Sequence, residues 1–347
     1  MAGSEHSAPR RCRGWRLARR LLAIVGVGLV ALLGAGQIAK ARLQTRYPAP
    51  GQRIDIGGYA LHIYCSGQGG PTVILESGLG SDSLTWANVQ PVIAAQTRVC
   101  AYDRAGYGWS DPSPHARSAE VAVAELHTLL ERAGIAPPYI MVGHSLGGVY
   151  AKLYAWRYPD QLAGLVLVDP SDERDLSGLP LPDREHYQTM VDDTATQMGG
   201  LKLLIDSGLP ALWPAMLGAN PKLPVAANAA ATALQASDST ALQTSVDELI
   251  GLEASFAQVQ AANITALGDL PLVLLLAGQS ESDANAPAPA AGDLAAAEER
   301  QRQRTARLVN LSPQGQVEVV VDSGHHIQWD RPDRVVAAIA AVLAASQ

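Results

Sequence analysis

Eight short apolar runs constrain the fold of this chain more than any other feature. They are 53–57 (RIDIG), 60–65 (ALHIYC), 71–76 (PTVILE), 97–102 (TRVCAY), 138–143 (PYIMVG), 162–169 (LAGLVLVD), 271–277 (PLVLLLA) and 316–321 (QVEVVV). From the third onward they are apolar at nearly every position and not merely at alternate ones. Strands of that kind are buried on both faces, as in a parallel sheet covered by helices. Helices fit between the runs: 117–133 (RSAEVAVAELHTLLERA) carries Val121, Leu126, Leu129 and Leu130 at helical spacing. With 347 residues, 48% of them apolar and 17% charged, the chain can bury the two-sided core such a sheet needs. The expected fold class is α/β, an eight-stranded, mostly parallel sheet flanked by helices.

About 100 residues separate the sixth and seventh runs, where a connection ordinarily takes two to six, so this stretch must build structure of its own. Segment 171–266 is expected to form a helical cap. Its apolar stretches Leu201–Ile205, Leu209–Leu217 around Trp213, and Val246–Val259 are punctuated by Pro210, Pro214, Pro221 and Pro224. The core is then 53–170 and 267–347. A second irregular piece, 282–297, is rich in Ala and Pro and leads into a helix expected over Leu294 to Leu308.

The N-terminus is built differently. Residues Leu21 to Gly36 (LLAIVGVGLVALLGAG) contain no polar side chain, and with Gln37 and Ile38 they approach the roughly 17–25 residues that span a bilayer. Six arginines precede the run and three basic residues come after it, which puts the N-terminus in the cytoplasm and the domain outside. The expected organisation is a basic cytoplasmic tail over 1–20, a transmembrane signal anchor over 21–38 and a linker over 39–52. A cleaved signal peptide competes with the anchor, since Ala35 and Ala39 offer small residues for a cleavage site and the protein would then be secreted. Of 26 basic and 33 acidic residues, nine and one lie in residues 1–46, so 17 and 32 remain and the rest of the chain carries −15. An acidic body of that kind argues against a nucleic-acid partner.

The segment 138–154, PYIMVGHSLGGVYAKLY, is a buried strand, then Gly143-His144-Ser145-Leu146-Gly147, then an amphipathic helix that stops before Pro159. A strand that turns sharply into a helix at a G-x-S-x-G sequence forces the serine into strained dihedrals, and the flanking glycines remove side chains that would clash. Ser145 then stands at the helix N-terminus, where the Leu146 N–H and the helix dipole can stabilise an oxyanion.

From about residue 53 to 345 the chain resembles the α/β-hydrolase superfamily, in its lipase, esterase and haloperoxidase-like branch with a cap after strand six. Besides GHSLGG, the resemblance rests on Asp103-Arg104-Ala105-Gly106-Tyr107-Gly108-Trp109-Ser110-Asp111 after strand four, and on Gly324-His325 followed by Asp330 and Pro332. It implies the strand order 1-2-4-3-5-6-7-8, a serine nucleophile at Ser145 and a general base at His325, the histidine directly after the glycine. His326 becomes a neighbour facing elsewhere, and His144 a packing or hydrogen-bonding residue. The acid is expected at Asp169, which as the residue closing a core strand would be held rigidly, with two other placements as alternatives. Asp169 ends strand six, where some relatives carry it, although it can equally be a strand-end turn residue. Glu281, with Asp283 nearby, comes after strand seven, and Asp172 is a further candidate. The second oxyanion donor is expected from the turn Glu76-Ser77-Gly78-Leu79-Gly80-Ser81, through the N–H of Leu79, although Ser77 replaces the histidine usual in relatives. The strand order also sets Cys65 beside Cys100, so an exported domain could join them in a disulfide; as free residues they would be small buried hydrophobes.

The expected function is a serine hydrolase of carboxylesterase or lipase type, needing no cofactor and no metal, since no CxxC or clustered His/Cys spacing is present. The Leu, Ala, Met and Trp content of the cap suggests a small-molecule ester with a partly apolar acyl or alcohol group as partner, and the membrane as the other. The alternatives are another Ser-His hydrolysis, by an aminopeptidase, thioesterase or C–C hydrolase, or a catalytically silent membrane-anchored binding protein.

Overall fold

The computed structural model of the protein describes residues 11–174, 181–279 and 291–346. Its strands are β1 (Gln52–Asp55), β2 (Ala60–Ser66), β3 (Thr72–Glu76), β4 (Val99–Tyr102), β5 (Tyr139–His144), β6 (Leu162–Val168), β7 (Leu272–Ala277) and β8 (Gly315–Val320). They form one sheet in the order β1-β2-β4-β3-β5-β6-β7-β8, the order the resemblance implies. β1–β2 and β2–β4 are antiparallel and the remaining pairs parallel. Cys65 and Cys100 are direct register partners of β2 and β4 and are joined in a disulfide.

The helices are α1 (Arg11–Arg46), α2 (Gln90–Ile93), α3 (Ala119–Arg132), α4 (Leu146–Arg157), α5 (Leu181–Asp206) and α6 (Leu209–Leu212). They continue with α7 (Val225–Ser237), α8 (Thr240–Ile250), α9 (Leu252–Ala262), α10 (Ala291–Val309), α11 (Ile327–Asp330) and α12 (Pro332–Ala345). The central strands feed two cores at once. Met141, Leu165 and Leu167 pack with Leu126, Leu129, Leu153 and Tyr154 of α3 and α4 on one face. Ile140, Val142, Val166 and Val168 alternate with them and pack with Ile93, Ile339 and Val342 of α2 and α12 on the other. This two-sided burial is why the runs are apolar without alternation. α3 begins where Ser118 caps it, its side chain accepting from the Val121 N–H.

The insertion between β6 and β7 is helical over α5–α9. α1 does not end with the apolar run: the stretch expected as a linker from residue 39 stays helical to Arg46, two residues before Pro48. Leu33, Gly36, Lys40 and Leu43, spaced as one helical stripe, are less exposed than their neighbours because that stripe packs on the insertion. A Cβ on Gly36 would lie 2.8 Å from the Gly208 carbonyl, so glycine is what allows the backbones to meet. Gln37 Nε2 donates to the Asp206 carbonyl at 2.8 Å and Gln44 Nε2 to that of Ser237 at 3.2 Å.

Candidate active site

Ser145 leaves β5 and caps α4 with φ 52° and ψ −124°. A non-glycine residue there costs on the order of 1–3 kcal/mol, so the surroundings must hold it. They do so by hydrogen bonds. The Ser145 N–H donates to the Val168 carbonyl at 3.1 Å, and the Ser145 carbonyl accepts from the N–H groups of Gly148 and Ser171 at 2.9 and 3.0 Å. Two glycines make room: a Cβ on Gly143 would lie 2.5 Å from the Gly147 carbonyl oxygen, and one on Gly147 would collide with that of Ser77. The Leu146 N–H, first in α4, has no acceptor within the helix and is free to meet a developing negative charge.

Asp169, directly after β6, also has positive φ, at 39°. Its N–H donates to the Leu275 carbonyl at 2.8 Å and its Oδ1 accepts from the Ala277 N–H at 3.0 Å, so neighbouring β7 fixes both backbone and carboxylate. The other oxygen, Oδ2, receives a 2.6 Å hydrogen bond from Nδ1 of His325, which lies just past β8. Burial alone would raise the Asp169 carboxyl, but the hydrogen bonds from His325 and the Ala277 N–H outweigh it and hold the carboxyl below its usual range. The structure thus brings Asp169 to His325. Asp172 instead pairs with Arg307 at 3.1 Å, and Glu281 and Asp283 lie outside the described residues. The Ser145 hydroxyl makes no hydrogen bond to His325 among the described residues. The two are linked through His144, whose Nε2 donates to the His325 carbonyl at 3.0 Å. Burial drives the His144 pKa down to about 3, so this ring is neutral. His326 stacks on Trp329, ring centroids 3.9 Å apart.

The turn after β3 lies against the elbow. A Cβ on Gly78 would come within 2.9 Å of His144 Nδ1 and 3.1 Å of the Ser145 Cβ, so only glycine lets the backbone leading to Leu79 pass this close. Ser77, the departure from the family pattern, is tied in by its own hydroxyl, which donates to the Asp82 carbonyl at 3.0 Å and accepts from Trp86 Nε1 at 3.1 Å. The rest of this turn's support was not apparent in the sequence. Arg104, buried, donates to the carbonyls of Ser77 and Gly78 at 2.5 and 2.8 Å, to Glu76 at 2.8 Å, and to both oxygens of Glu248 on α8 at 2.9 and 3.0 Å. Burial works to raise the Glu248 carboxyl, yet the cations of Arg104 and Arg117 prevail and lower it. The only sequence signal for Arg104 was its place in the D-R-x-G-x-G loop; Glu248 had none. Elsewhere in that loop, Asp103 accepts from the Ser83 N–H at 2.7 Å and from His62 Nδ1 at 2.7 Å.

A cavity of about 140 Å³ lies beside the turn, between Gly80, Ser81 and Trp329 on the core and Asn220, Leu223 and Thr232 on the insertion.

The sequence model of the alpha/beta hydrolase family matches residues 73–338. Among curated proteins, the chain is 38% identical over 117 residues to the uncharacterized protein YqjL of Bacillus subtilis (strain 168), covering 33% of this chain and 46% of that one. It is 33% identical over 102 residues to the (Lyso)-N-acylphosphatidylethanolamine lipase of Homo sapiens, covering 28% of this chain and 30% of that one. It therefore spans less than half the length of these relatives. Among solved structures, the epoxide hydrolase CorEH without ligand superimposes with a TM-score of 0.61 at 18% identity, over 85% of this chain and 99% of that one, a likeness of fold. With the sheet order, the elbow and a sequence match running from β3 into α12, the chain belongs to the α/β-hydrolase family.

Proposed function

We propose that this protein is a serine hydrolase that cleaves a carboxylic ester-type acyl bond through an acyl-enzyme on Ser145. The observation that carries the reading is a serine in left-handed backbone at the start of α4, with a histidine held by a carboxylate at the ends of strands β8 and β6. His325 Nε2 takes the Ser145 proton as Oγ attacks the carbonyl carbon, and Asp169 stabilises the resulting imidazolium through Nδ1. The N–H groups of Leu79 and Leu146 receive the oxyanion. Collapse breaks the ester C–O bond, and the alcohol leaves with the proton from His325. Water, deprotonated by the same ring, then releases the acid from Ser145. A serine at the elbow, where ring opening of an epoxide would need a carboxylate nucleophile, favours acyl transfer over the chemistry named for CorEH.

The substrate is a small ester with a partly apolar group, in keeping with the apolar insertion and with the lipase among the relatives. α1 is the membrane anchor, with the basic N-terminus in the cytoplasm and the catalytic domain outside. Its span Trp15–Arg46 is long and apolar enough to cross a bilayer. The Cys65–Cys100 disulfide supports an oxidising compartment for the domain. The contact of Gly36 with Gly208 supports a retained helix over a cleaved signal.

Treatment of the full chain with a fluorophosphonate tests the proposal. Mass spectrometry is expected to find the label on Ser145, and none in Ser145→Ala. Folded wild-type protein that takes no label would refute it.

A further inference from the structure

The apolar run of α1, Leu21 to Ile38, is about 27 Å long at 1.5 Å per residue, close to the roughly 30 Å of a bilayer's hydrocarbon core. Arg19 and Arg20 mark its cytoplasmic end and Lys40 and Arg42 its outer end. Gly36, two residues before the run closes, is the point at which α1 touches Gly208. The chain just beyond Gly208 is therefore held at the depth of the outer leaflet's boundary.

That stretch is strongly apolar and faces solvent. Trp213 is 69% exposed, Met216 58% and Val225 88%, with Leu203 of α5 at 73%. α6, the 3-10 turn Pro214–Leu217 and α7 pack on one another, and α6 and α7 pack on α1, whose own apolar side chains are exposed. A patch of this kind on a soluble surface marks an interaction site. Here the neighbouring helix, read as a membrane anchor, identifies the occupant, and an indole at the boundary depth is where tryptophan partitions best. The same stretch has a second side: just past Met216, Asn220, Leu223 and Thr232 line the cavity against Gly80 and Ser81 of the turn beside Ser145.

We propose that α6, the turn Pro214–Leu217 and the start of α7 sit in the outer leaflet of the bilayer that α1 crosses, and deliver ester lipids from it to Ser145. The substrate class is an amphiphilic ester, with its acyl chain in the leaflet and its polar part against the amide-lined cavity. This deepens the proposed function and rests on both the anchor and the hydrolase readings.

The test uses the full chain in phosphatidylcholine vesicles brominated at either the 6,7 or the 11,12 acyl positions. The emission of Trp213 is taken as the difference between wild type and Trp213→Phe. That component is expected to be quenched, and more by the shallow bromines than by the deep ones. Absence of quenching in protein that floats with the vesicles overturns the proposal while leaving the anchor standing. Protein that does not float refutes the anchor and the proposal together. Substrate delivery is read from p-nitrophenyl palmitate dissolved in vesicles against p-nitrophenyl acetate in water. The triple variant Leu212→Ser, Trp213→Ser, Met216→Ser is expected to keep the acetate rate and to lose roughly tenfold on the palmitate, since membrane contact scales with the apolar area inserted. Equal palmitate rates for variant and wild type contradict the delivery route. If neither ester is cleaved, the hydrolase reading falls, and quenching alone still decides the membrane contact.

Discussion

In the sheet, every residue of β5 is buried and the catalytic candidates Ser145 and Asp169 are fixed by backbone hydrogen bonds to the next strand, whereas in the insertion Trp213, Met216 and Val225 stand in solvent. The two regions are joined by a few specific contacts. Arg104 couples the turn beside Ser145 to Glu248 of α8, and Gly208 rests on Gly36 of α1. On the proposed hydrolase reading, the contrast assigns reaction geometry to strand ends fixed by backbone hydrogen bonds and substrate access to the insertion. Changes in the sheet should thus abolish turnover with every ester, and changes in the insertion should discriminate between esters.

The largest effect is expected from Ser145→Ala, which should lower kcat on the order of 10⁶-fold as measured with p-nitrophenyl acetate. Ser145→Gly should be equally inactive but more stable by about 1 kcal/mol in urea unfolding, because glycine relieves the positive φ. Asp169→Asn should lower kcat about 10⁴-fold with KM little changed. The same carboxylate carries a pH signature. Its folded-state pKa is lowered below the ordinary 3.8, so its stabilisation is present above pH 3.8 and is lost as pH falls through the lower folded value. Acid titration of unfolding free energy should show that loss in wild type and not in Asp169→Asn.

Contacts between the regions should have smaller effects on turnover. Glu248→Ala leaves Glu76 as the one remaining carboxylate partner of buried Arg104 among the described residues, and should cost about 3–5 kcal/mol in chemical unfolding. Because Arg104 also holds the carbonyls of Ser77 and Gly78, the surviving folded fraction should show reduced kcat for every ester. Smallest is Gly36→Leu, which overpacks the contact with Gly208 at about 1–3 kcal/mol of local strain. Amide exchange is expected to quicken in α6 and α7 and to stay unchanged in β5 and β6.

Much of this was legible in the sequence, for physical reasons that differ by element. Two-sided burial writes itself as continuous apolar runs in β3 to β7, whereas β8, expected to be covered on both faces as well, is an edge strand whose Val317 and Val319 stand exposed; all eight were still placed within two residues of their ends. The elbow was legible because its glycines are sterically required. Asp169 was legible only as the favoured acid, because a residue closing a core strand is held rigidly, while a carboxylate placed after β7 can also approach a histidine after β8; the 2.6 Å contact pairs Asp169 with His325. Glu248 was invisible because a glutamate on an amphipathic helix resembles a solvated face until its buried arginine partner is seen. The extension of α1 to Arg46 was missed because the apolar run ends at residue 38, while helicity beyond it depends on packing with the insertion.

The acyl-enzyme itself can be observed by rapid mixing of the full chain with p-nitrophenyl acetate and intact-mass analysis of the quenched protein. A burst of p-nitrophenol with an acetyl group on Ser145 is expected in wild type, and neither in Ser145→Ala. Steady turnover by Ser145→Ala at the wild-type rate would contradict a serine-centred reaction.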